Sequence, residues 1–79
     1  MDYINREKLK WHSRRSILEL DLYFDRFIKS TAFTQLSNDE LVAYEYILTL
    51  DDGDLLLLLQ NKATLENTQQ QQIINKILA

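Results

Sequence analysis

The chain has 79 residues, 46% of them hydrophobic and 27% charged, with a formal net charge of −3 and no cysteine. A chain this short makes one small helical domain, residues 1–79, which buries only about 60% of the surface its unfolded form exposes. The absence of cysteine excludes disulfides, a thiolate nucleophile and a cysteine metal site, and no proline with a single glycine, Gly53, favours helices over a turn-rich sheet protein.

From Asp2 to about His12 a first helix places Ile4, Lys8 and Trp11 along one side and Leu9 away from them. Trp11 is expected to be partly buried, with the stem of Lys8 across it. An exposed indole edge joining a binding surface is the alternative. Next, Ser16-Ile17-Leu18-Glu19 reads as a capping box, with the serine hydroxyl on the Glu19 amide and the carboxylate on the Ser16 amide. It opens a second, central helix from Ile17 to about Ser30 or Phe33. Ile17, Leu20, Phe24, Phe27 and Ile28 share its apolar face, and Glu19, Leu22 and Arg26 lie opposite.

Ser37-Asn38-Asp39-Glu40 is a second capping box, starting a helix with Leu41, Tyr44, Ile47 and Leu48 on one face. Asp51-Asp52-Gly53-Asp54 supplies turn and N-terminal chemistry for a fourth helix over the leucines 55–59, which is tolerable only if neighbours cover most of it. The acidic run is too short for a calcium loop and lacks its terminal glutamate. Asn61 to Ala63 is a connector, and Thr64 caps a last helix carrying Leu65, Ile73, Ile74, Ile77 and Leu78. Together these elements predict an all-α, compact five-helix bundle, with Phe24, Phe27, Leu41, Leu48, Leu55, Ile74 and Ile77 in its core.

Catalytic equipment is sparse. His12 is the lone histidine, so no ordinary transition-metal site is expected. His12 beside Ser13 gives no reason for productive geometry or an oxyanion hole. One glycine excludes a glycine-rich phosphate or dinucleotide loop. No segment approaches the roughly 20 apolar residues of a membrane span, and no signal-length apolar stretch opens the chain, so a cytoplasmic protein is expected. The cations Arg6, Lys8, Lys10, Arg14 and Arg15 precede the second helix, but only Lys62 and Lys76 follow Lys29. That balance disfavours phosphate binding. A small nucleic-acid-binding or regulatory helical module, antitoxin-like, remains the alternative from a different class, and a very small hydrolase using His12 with Ser13 or Ser16 a further one.

The run Lys8, Trp11, Arg14, Arg15, Ser16, Ile17, Leu18, Glu19, Leu20, Asp21 resembles the signature of the succinate dehydrogenase assembly factor 2 family. These small proteins, in bacteria of the SdhE type, promote flavin attachment. Their motif is Arg-Gly-x-x-Glu followed by Leu-Asp, with a basic and an aromatic residue upstream; Ser16 stands here for the glycine. The segments Leu36 to Leu41 and Asp51 to Leu55 are similar to the family's later Leu-Ser-x-x-Glu and Asp-x-x-Asp-Leu, and Leu58 stands where a tryptophan often follows. The resemblance implies a non-enzymatic FAD assembly chaperone that binds the flavoprotein subunit of succinate dehydrogenase, with that of fumarate reductase as a second candidate; from its shared apolar faces the free chain is expected to be a monomeric bundle. The resemblance further implies that FAD becomes linked to a histidine of the partner and is not held stably by this chain. Lys8, Trp11, Arg14, Arg15, Ser16, Glu19 and Asp21 then form the partner-binding surface, with Arg15 and Glu19 as an exposed patch at its centre.

Overall fold

A computed structural model describes residues 6–15 and 17–79. Among them the chain forms α1 (Arg6–His12), α2 (Leu18–Ile28), α3 (Thr31–Thr34), α4 (Asn38–Ile47), α5 (Asp52–Leu59) and α6 (Thr68–Leu78). The all-helical class is as expected; the count is six among the described residues, not five. The additional helix arises because α2 stops at Ile28. Ser30 there donates its hydroxyl to the Phe27 carbonyl at 2.6 Å and accepts from the Phe33 amide at 3.4 Å. A serine that offers the backbone both bonds ends one helix and caps the next. The Asp2–Asn5 part of the first predicted helix lies outside the described residues.

α2 packs against α3, α5 and α6, while α6 packs against α2, α4 and α5, so two helices share the central role assigned to the second alone. Each has a reason in its sequence. Leu20, Phe24 and Phe27 line the buried face of α2, and Ile73, Ile74 and Ile77 that of α6. All seven core residues named from the sequence are buried, in one cluster with Leu9, Phe33, Tyr44, Ile47, Leu58 and others. Its centre is aromatic: Tyr44 lies 6.2, 5.5 and 5.7 Å from the ring centroids of Phe24, Phe27 and Phe33, all tilted or edge-on. Such pairs each add about 0.5–1.5 kcal/mol beyond area burial.

The helix ends follow local chemistry where the sequence supplies it. Ser37 and Glu40 form the expected capping box, with bonds of 3.2 and 3.0 Å. The last helix starts later than expected, because Asn67 and not Thr64 caps it, accepting from the Gln70 amide at 2.9 Å. Gln71 accepts the Leu65 amide at 2.7 Å, which satisfies that residue outside the helix. Arginines tie distant elements to backbone carbonyls. Arg6 reaches Leu36 at 2.6 Å, and Arg26 reaches Ile77 near the end of α6 at 2.9 Å, where a cation meets the negative end of the helix. Asn61, at φ 60°, turns the chain after α5; asparagine tolerates this left-handed conformation better than most residues.

Candidate functional site

The segment joining α1 to α2 is fastened to α4 by alternate residues. Ser13 is fully buried, and its hydroxyl donates to the Leu9 carbonyl at 2.7 Å. That leaves its oxygen to accept from the Tyr44 phenol, 2.5 Å away. Two residues on, the Arg15 guanidinium donates to the Leu48 carbonyl at 2.8 Å. Leu48 is the C-cap of α4, so the cation sits at the negative end of that helix, on a carbonyl the helix leaves unpaired. Arg15 also lies 4.0 Å from the Asp52 carboxylate in the first turn of α5, and its guanidinium carbon is 5.6 Å from the centre of the Phe24 ring. Its backbone amide donates to Asp21 at 3.2 Å. Between these inward residues, Arg14 is exposed.

The signature therefore does not form one exposed patch. Arg15, expected at the surface beside Glu19, has only 15% of its side chain exposed, and its Nε is buried without a hydrogen-bond partner. Trp11, expected to be partly buried, is 74% exposed; Leu9 is the α1 residue that enters the core. In a seven-residue helix with one face against the protein, Leu9 and Trp11 cannot both turn inward. Lys8 is on the exposed side of α1 and Asp21 is half-buried. Glu19 is exposed as expected, and the Gln60 side chain after α5 approaches it at 3.5 Å. The Ser16–Glu19 capping box cannot be placed, since Ser16 lies outside the described residues. Ile17 occupies the N-cap position of α2 without a side-chain cap, and it is exposed instead of joining the apolar face.

Two hollows adjoin this surface. One, of about 250 Å³, lies between α1 and α2 and is lined by Trp11, Arg14 and Asp21 with Glu7, Lys10 and Asp25 among others. The second, of about 570 Å³, runs along α2 beside Glu19, Leu22, Tyr23, Asp25 and Arg26. From the sequence Leu22 lies opposite the core, and neither it nor Leu18 is among the expected site residues. Leu22 and Leu18 are 59% and 71% exposed, one helical turn apart on either side of Glu19. Exposed leucines bracketing a charged residue on one helix face are a signal the sequence did contain. Ser13 and Tyr44 carried no such signal, because their partnership spans 31 positions.

The Ser13 hydroxyl is buried and committed to Leu9 and Tyr44, so it cannot act with His12 as a nucleophile. Burial pushes the Tyr44 phenol up to about 12, against the smaller opposing effects of the Ser13 bond and the Arg15 charge. It is neutral at physiological pH and serves as a hydrogen-bond donor. Among the described residues no three histidine, aspartate or glutamate side chains gather as a metal site, and no helix is long and apolar enough to cross a membrane.

Residues 7–79 match the model of a protein family described as the flavinator of succinate dehydrogenase. The chain is 32% identical over 75 residues to the FAD assembly factor SdhE of Colwellia psychrerythraea, covering 95% of this chain and 81% of that protein. It is 28% identical over 75 residues to the factor of the same name from Idiomarina loihiensis, covering 95% and 82%. With the Pseudomonas syringae pv. tomato factor the identity is 31% over 71 residues, covering 90% and 83%.

Proposed function

The chain belongs to the family of flavinators of succinate dehydrogenase, and on that basis we propose that it binds the flavoprotein subunit of that enzyme and promotes covalent attachment of FAD to it. The observation that carries the reading beyond membership is the solvent-facing part of the signature. Trp11 and Glu19 are exposed with Arg14 and Lys8, and Leu18 and Leu22 flank Glu19. An aromatic anchor, apolar side chains and unburied charges are the composition of a protein-binding surface.

The bond-forming chemistry belongs to the partner. The isoalloxazine ring is reactive by itself, and the partner's histidine supplies the atom that joins it. This chain contributes no catalytic group and holds no FAD stably. It acts by binding the partner more tightly when histidine and flavin are aligned than when they are not, since differential affinity is the only means by which a binding protein shifts such an equilibrium. Each tenfold difference in affinity between the two arrangements is worth about 1.4 kcal/mol. We place this action in the cytoplasm, with the free protein a monomer and the fumarate reductase flavoprotein a further candidate partner.

The test is co-expression of a succinate dehydrogenase flavoprotein with and without this chain, followed by in-gel fluorescence of covalent flavin. Flavinylation should rise with the chain present and fall with Glu19→Gln, which removes a charge from an exposed position without disturbing the core. Equal flavinylation in all three cases would end this reading.

A further inference from the structure

We propose that Arg15, although part of the family signature, is a positioning residue and not a partner contact. With Tyr44, it clasps the α1–α2 segment to α4 so that Arg14 and Trp11 face the flavoprotein. The proposal deepens the function given above and rests on it for the identity of the partner.

Side chains 13 and 15 turn toward α4 and side chain 14 turns away. Tyr44 and Leu48, the residues they meet, are one helical turn apart on α4. The segment therefore lies along that helix with two points of attachment, and Arg14 projects from between them. The Asp21 carboxylate holds the Arg15 amide as a third point, from the α2 side. The Arg15 guanidinium already has a carbonyl at a helix C-terminus, a carboxylate in the next helix and an aromatic face. To reach a partner it would have to abandon all three and leave the end of α4 uncapped. Arg14 has no such commitments among the described residues and is the arginine a partner meets first.

Arginine labelling with phenylglyoxal, read by mass spectrometry, separates the two roles. In the free protein Arg14 should react readily and Arg15 several-fold more slowly; in the complex with the flavoprotein, Arg14 should become protected while Arg15 changes little. Tyr44→Phe removes one buried oxygen and keeps the ring, so the variant should fold. It should nevertheless speed labelling of Arg15 and raise the concentration of this chain that half-saturates flavinylation, well below the melting transition, while the rate at saturation is retained. Because partial unfolding would also raise that concentration, by the reciprocal of the folded fraction, the half-saturation is expressed per folded molecule, with the folded fraction of each protein read by circular dichroism under the assay conditions. Rapid labelling of Arg15 in the free protein with protection in the complex would overturn the proposal, as would a Tyr44→Phe variant whose half-saturation is unchanged. Labelling of the free protein needs no flavoprotein, so failure of the proposed function and failure of the clasp remain distinguishable.

Discussion

The Ser13–Tyr44 bond makes a prediction whose sign, as well as size, follows from the structure. In Tyr44→Phe the ring stays among Phe24, Phe27 and Phe33, and Ser13 still donates to Leu9. One neutral hydrogen bond is lost, about 1 kcal/mol. In Ser13→Ala the Leu9 carbonyl keeps its bond from the residue 13 amide, at 2.9 Å, but the Tyr44 phenol is left fully buried with no acceptor. That penalty is about 1–3 kcal/mol. For a domain whose whole stability is roughly 4–12 kcal/mol, the difference is measurable. Removing both oxygens leaves no orphan, so Tyr44→Phe, destabilising in the parent, should be neutral or stabilising in the Ser13→Ala background. Urea denaturation of the parent, both single variants and the double variant, at unchanged m-value, closes the cycle. Equal destabilisation by Tyr44→Phe in both backgrounds would show that the phenol has another partner and would refute the assignment.

Alkaline stability should carry the same phenol's signature. Its folded value, pushed to about 12 chiefly by burial, lies above the ordinary 10, so the contribution is fully present below pH 10 and is lost as pH rises toward 12, on the order of 2–3 kcal/mol; chemical denaturation against pH should be flatter over that range in Tyr44→Phe. Trp11→Ala, at an exposed position, should change stability by no more than about 0.5 kcal/mol yet reduce capture of the flavoprotein in a pull-down, and retention of full capture would exclude the indole from the interface. Ser37→Ala should cost about 1 kcal/mol by removing the hydroxyl half of the capping box. The backbone amide of residue 37, the largest influence holding the Glu40 carboxylate below its ordinary 4.5, persists in that variant, so parent and variant should lose stability nearly in parallel as pH falls through that lowered range.

What the sequence made legible is whatever local pattern decides. The helix faces that bury Phe24, Phe27, Leu41, Leu48, Ile74 and Ile77 follow from 3.6-residue periodicity, and the Ser37 box from a four-residue spacing. The misreadings occur where two local solutions compete. At Lys29–Ser30 nothing in the apolar pattern forbids a continuous helix; the serine hydroxyl decides by bonding the Phe27 carbonyl. At Thr64 and Asn67 either residue could cap, and the Gln71 bond to the Leu65 amide favours the later start. In α1 a short helix offers too few turns for periodicity to say which side is inner, and the side shared by Ile4, Lys8 and Trp11 is as plausible as that of Leu9. Leu9 is buried instead, and the neighbouring Ser13 is held to Tyr44.

The spacing of Arg15 and Glu19 illustrates why the site was harder to read than the fold. Residues four apart are close neighbours on one face of a helix only if the backbone between them is helical. Here α2 begins at Leu18, so the two lie on either side of a helix boundary, and the spacing carries no information about a common face. Arg15 falls before the boundary, where its partner is a carbonyl 33 positions away; Glu19 falls after it, where the amphipathic wheel applies and assigns it correctly to solvent. A charged pair within one motif thus divides into two kinds of contribution. On the clasp proposed above, Arg15 acts on the conformation of the segment that displays Arg14 and Trp11, and its effect on a partner is coupled to folding. Glu19 acts at the surface, where its charge can be changed with little consequence for the core, which is why its conservative replacement is the more informative probe of partner recognition.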